Sequence, residues 1–144
     1  MQLVKDYTTL DDVLLHLKKQ VIDSLEYAKE IIPETNSPEE LFYWLRAKVK
    51  YKNDPNGIEL LQTLPTLVSG ARTGIPWAGD CDCFTIVALA SLLVNGFSPA
   101  YVILVGRRSD TPVHIYAGVK EDGKIVPFDL TNDDYGFERT NYKY

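Results

Sequence analysis

The stretch Phe84-Thr85-Ile86-Val87-Ala88-Leu89-Ala90-Ser91-Leu92-Leu93-Val94 is apolar almost all round, and it follows directly on Gly79-Asp80-Cys81-Asp82-Cys83. A run of this length that stops at Asn95-Gly96 predicts a helix, with Asp80 as its N-cap. Such a helix has no face to offer water, so the remainder of the chain has to enclose it. Cys81 falls in its first turn. Unpaired backbone N–H groups and the positive end of the helix dipole favour a thiolate there.

The 144 residues suffice to enclose such a helix in one domain, and a single domain over 1–144 is the expectation. Upstream, Leu10, Val13, Leu14, Leu17, Val21, Leu25, Ala28 and Ile32 recur at helical spacing. They predict an amphipathic helix over 9–32, ended by Pro33, with His16 beside its polar side in a surface or structural role. Ser37-Pro38-Glu39-Glu40 is a capping box that starts a second helix, running to about Tyr51. Asn53-Asp54-Pro55-Asn56-Gly57 predicts a turn, and Ile58 to Leu67 a short helix with Leu60, Leu61 and Leu64 inward. The segment from Ser69 to Ala78 reads as a loop leading to the cysteine.

Beyond the central helix the pattern changes to that of strands. Ala100 to Val105 is one apolar run; Val113, Ile115, Ala117 and Val119 alternate with His114, Tyr116 and Gly118; and Lys124 to Leu130 returns after Asp122-Gly123, a hairpin turn signal. The tail from Asn132 to Tyr144 either adds an edge strand or drapes over the surface. The fold class that follows is α+β, with N-terminal helices and a central cysteine-bearing helix packed on a C-terminal antiparallel sheet.

A two-residue loop at Asp122-Gly123 pairs Glu121 with Lys124, and counting outward sets Tyr116 opposite Asp129 and His114 opposite Thr131. Asp129 then lies on the face of His114 and diagonal to it, at a backbone separation of roughly 7–8 Å that the side chains close. At the end of its strand Asp129 also has the option of capping the Thr131-Asn132 turn. A thiol at a helix start, a histidine on a strand and an aspartate on the next strand are the parts of a nucleophilic triad. Cys81 would be the nucleophile and His114 its base; Asp129 would orient the imidazole, and the Cys81 backbone N–H would donate to the oxyanion.

Net charge is −5 and the basic residues are scattered, which argues against nucleic acid as partner. Met1-Gln2-Leu3-Val4-Lys5-Asp6 is not a signal sequence and no apolar run is long enough for a bilayer, so a soluble, cytoplasmic protein with no membrane partner is expected, in a host cytoplasm or a virion if the source is viral. Cys81 and Cys83 are too close in sequence to bridge and diverge on a helix, so both thiols should be free. The divergence also disfavours a zinc site built from Cys81, Cys83 and His114, for which no fourth ligand is evident. Cys83 reads as a packing residue.

The cysteine segment with its helix ending at Gly96, His114 in Val113-His114-Ile115-Tyr116 and Asp129 in Val126-Pro127-Phe128-Asp129-Leu130-Thr131 together resemble the core of the transglutaminase-like superfamily, which is related to papain-like cysteine proteases. The lead-in from Tyr51 to Glu59 resembles that of short bacterial and phage members, and the similarity spans about 38–131. The resemblance implies a cysteine helix against an antiparallel sheet, no metal or organic cofactor, and Cys81, His114 and Asp129 in the catalytic positions. Its members include peptidases, amidases and crosslinking acyltransferases, which act on a protein or peptide substrate. The second oxyanion donor would come from Trp77, Trp44 or Gln62. A different class of answer is a structural or interaction protein, virion-associated and part of a larger complex, that retains the fold without catalysis.

Overall fold

In the computed structural model, which describes residues 2–4, 10–53, 59–108 and 111–138, the apolar run is a helix enclosed by the other elements. In chain order the elements are β1 (Gln2–Val4), α1 (Leu10–Ile31), α2 (Pro38–Arg46), β2 (Lys50–Tyr51), β3 (Glu59–Leu61), α3 (Leu64–Ser69), β4 (Ala78–Gly79), α4 (Cys81–Val94), β5 (Ala100–Arg108), β6 (Thr111–Glu121) and β7 (Lys124–Phe128). Every residue of α4 from Cys83 to Leu92 is buried, and α1, α2, α3, β5 and β6 all pack against it. Among the described residues this mixed α and β arrangement, four helices with a three-stranded antiparallel sheet β5-β6-β7, is the α+β class read from the sequence.

Helix α1 presents Leu17, Gln20, Val21, Ser24 and Ala28 inward at spacings of three and four residues, while Leu15 and Ile22 face water. Its buried hydroxyl at Ser24 donates to the Gln20 carbonyl at 2.7 Å and accepts the Leu64 N–H at 2.9 Å, which ties α1 to the first turn of α3. Helix α2 starts where the capping box places it, with Ser37 Oγ accepting from the Glu40 N–H at 3.2 Å.

Two boundaries differ from the sequence reading. Helix α2 stops at Arg46 instead of running to Tyr51, although Val49 keeps the helical period and is buried. Tertiary pairing wins over propensity here: Lys50-Tyr51 runs parallel to Ala78-Gly79, with the Lys50 N–H on the Trp77 carbonyl at 2.9 Å and the Lys52 N–H on the Gly79 carbonyl at 2.8 Å. The second concerns the span from Ile58 to Leu67. Glu59–Leu61 is a strand paired antiparallel with β1, and the helix begins only at Leu64, with Pro65 in its first turn where no amide donor is needed.

The tail drapes. Residues 132–138 form turns over β7: the Gly136 N–H meets the Pro127 carbonyl at 3.1 Å, and the Tyr135 ring packs on those of Phe42 and Phe128. The predicted turn at 54–57, the helix start at Thr9, the side chains of Leu60 and Leu61, and residues 139–144 lie outside the described residues. Among the described residues no helix is long and apolar enough to cross a membrane.

Candidate active site

The hairpin sets the site. Asp122 and Gly123 both have positive φ, 52° and 78°, as a two-residue primed turn requires, and the register runs from Glu121 opposite Lys124 to Ala117 opposite Phe128. One step further brings Asp129 level with Tyr116 and diagonal to His114. The carboxylate reaches across: Asp129 Oδ2 lies 2.6 Å from His114 Nε2, with the two side chains only 4% and 8% exposed.

Asp129 also caps the turn that follows it, so the two roles read for it coexist. Its Oδ1 accepts the Thr131 backbone N–H at 3.0 Å and the Thr131 hydroxyl at 2.7 Å, and Oδ2 accepts from Asn132 Nδ2 at 3.3 Å. Burial on its own would raise the pKa of this carboxyl; the hydrogen bonds from His114 and Thr131 outweigh burial and hold it below the usual carboxylate value. An ionised Asp129 assigns the proton of neutral His114 to Nε2 and leaves Nδ1 as the basic nitrogen. The imidazole stacks on Tyr116, ring centres 5.5 Å apart, and the Tyr116 hydroxyl donates to the Glu138 carboxylate.

Cys81 arrives at the same place from α4. Its thiol lies within electrostatic reach of the backbone of Ile115, the residue after His114, and it feels the charge of Asp129. Thr85, one turn on, locks the contact: its hydroxyl donates to the Cys81 carbonyl at 2.7 Å and lies 3.4 Å from the Ile115 carbonyl. The acidity expected of the thiol is reversed, however. Burial, then the carboxylates of Asp82 and Asp80, push Cys81 up to about 12. Asp80 takes the Asp82 and Cys83 N–H groups at 3.2 and 3.4 Å, so the cap occupies the helix donors that would have favoured a thiolate, and the thiol donates to Asp82 Oδ1 at 3.8 Å.

Both cysteines are present as thiols. Cys83 is fully buried against Gly79, and Gln62 Nε2 donates to the Ala78 carbonyl at 3.2 Å and to Cys83 Sγ at 3.6 Å. Gln62 therefore braces the turn before α4, with its amide directed at Cys83. Trp44 and Trp77 meet edge to face at 6.1 Å, with Lys48 Nζ 5.1 Å from the centre of the Trp44 ring. Trp77 has φ of 63°, rare for an aromatic residue, and is held there by its N–H on the Leu67 carbonyl and its own carbonyl on Lys50.

Next to His114 opens a cleft of about 560 Å³ lined by Arg46, Val49, Tyr51, Phe84, Leu130 and Thr131. Cys81 is not in that lining; it stands half-buried one helical turn before Phe84. Tyr116 and Arg46 carry parts of this arrangement for which the sequence reading gave no role, whereas Thr131 and Asn132 form the turn that it had Asp129 cap. No family model, curated protein or solved structure matches the chain.

Proposed function

We propose that the protein is a cysteine-dependent hydrolase or acyltransferase of transglutaminase-like fold that acts on an amide or peptide bond through a thioester. The observation that carries this reading is the buried 2.6 Å pair of His114 and Asp129, with Cys81 tied through the Thr85 hydroxyl to the next residue of the same strand. A histidine with its tautomer fixed by a carboxylate, beside a thiol at a helix start, fits the geometry of an activated nucleophile.

The thiol keeps its proton at neutral pH, so attack is coupled to proton transfer and does not start from a preformed thiolate. As Sγ bonds to the substrate carbonyl carbon, the thiol proton passes to Nδ1 of His114, and Asp129 stabilises the imidazolium. The Cys81 backbone N–H faces the developing oxyanion. When the C–N bond breaks, the imidazolium returns the proton to the departing amine. Water or an amine then attacks the thioester, losing a proton to His114, and the thiol is restored. Three carboxylates around Sγ oppose any negative charge on sulfur, and this favours a second reading, a binding or structural protein that retains the fold without catalysis.

p-Nitrophenyl acetate separates the two. The enzyme reading expects an acetyl thioester on Cys81, trapped at acid pH and located by peptide mapping, and formation slowed at least about 100-fold in His114→Ala. Acetylation that is absent, or equally fast in His114→Ala, would leave the structural reading standing.

A further inference from the structure

Among its described lining residues the cleft beside His114 holds one lysine or arginine side chain, that of Arg46, and no carboxylate, in a chain whose net charge is −5. Arg46 comes from the last turn of α2. One guanidinium nitrogen donates to the Leu130 carbonyl at 3.2 Å, which fixes the group beside the residue that follows Asp129. The other donates to Asp133 Oδ1 at 2.7 Å. A guanidinium has five N–H donors in a planar fork, so most remain for a ligand. Asp133 is 89% exposed, and an ion pair that open to water exchanges readily for a better-enclosed anion.

The rest of the lining mixes Thr131 and His114 with apolar side chains that offer little open surface. Val49, Phe84 and Leu130 are buried, and Tyr51, 56% exposed, stands edge-on to the Phe84 ring at 6.0 Å. We propose that this cleft is a binding site for a small carboxylate with an aromatic body, its carboxylate on Arg46 and its body against Tyr51 and Thr131. The consequence for substrate class, an amide whose scissile bond lies near a carboxylate, rests on the acyl-transfer reading above. The binding itself does not.

The probe is hippurate, an aromatic amide ending in a carboxylate, compared with its uncharged amide, hippuramide. Both are titrated into the Cys81→Ala variant, where no turnover intervenes, while NMR follows the Arg46 Nε–H and the His114 ring. Hippurate should shift both signals and bind at least about tenfold more tightly than hippuramide. Arg46→Gln should abolish that difference, and Asp133→Asn, which removes the competing carboxylate, should strengthen hippurate binding. Equal affinities, no hippurate binding, or discrimination that survives Arg46→Gln would overturn the site. If Arg46→Gln does not fold, a hippurate affinity unchanged or weakened in Asp133→Asn does so instead. Discrimination that is intact in a protein whose Cys81 is never acetylated sinks the reaction and leaves the site.

Discussion

Asp129 divides four donors between two oxygens, and nearly all of this happens out of water. Asp129→Ala would leave the His114 N–H, both Thr131 donors and the Asn132 amide short of an acceptor, so a loss of about 3 kcal/mol in urea unfolding is expected at neutral pH. The folded carboxyl titrates below its unfolded value of about 3.9, so its contribution is present above that pH and is lost as pH falls through the lowered folded value. The acid limb of stability against pH should therefore flatten in Asp129→Asn. For Cys81 the sign is opposite. Its folded thiol titrates at about 12, above the unfolded value, so the thiol favours folding below about pH 8.5 and ceases to as pH rises toward about 12. Without substrate, alkylation of Cys81 by iodoacetamide near pH 8.5 should be slower than that of a free thiol, and Asp82→Asn should shift the profile to lower pH, both read by peptide mapping. The meeting of His114 and Asp129 was legible because a two-residue turn counts out a register, and the place of Cys81 at a helix start because Asp80 and the apolar run mark it. The thiol's acidity was not, because the helix dipole and two flanking carboxylates pull in opposite directions and only burial and distance decide between them.

At the scale of elements, the turn into α4 tolerates little change. A Cβ on Gly79 would sit 2.7 Å from Cys83 Cβ and 3.0 Å from a Leu67 methyl, so Gly79→Ala should cost about 1–3 kcal/mol by thermal or urea unfolding. Asp80→Ala removes the cap from two N–H groups and should cost about 1 kcal/mol, while withdrawing one of the charges that raise the thiol. The hairpin and α4 were readable because their signals are local: Asp-Gly for one, an unbroken apolar run between an N-cap and Asn-Gly for the other. The end of α2 and the strand at Glu59–Leu61 were not. Both depend on segments far away in sequence, β4 and β1, and a two- or three-residue strand has too few positions to carry a period of its own.

At the scale of the whole molecule, Cys81 opens the enclosed helix, His114 sits on the central strand of the sheet and Asp129 follows the end of its last strand. Helix α4 is covered by three helices and the sheet, whereas Asp129 leads into turns held over β7 by Arg46, Tyr135 and Tyr116. Amides of α4 should thus exchange with solvent only through global unfolding, and those of residues 132–138 through smaller openings, a contrast that hydrogen exchange by NMR resolves. Cys83 lends this arrangement a clock. Its sulfur is sealed beneath Gly79 and Gln62, so a thiol reagent reaches it only when the whole chain lets go. At reagent concentrations high enough to outpace refolding, the rate at which Cys83 is labelled is the rate at which individual molecules end their folded lifetimes.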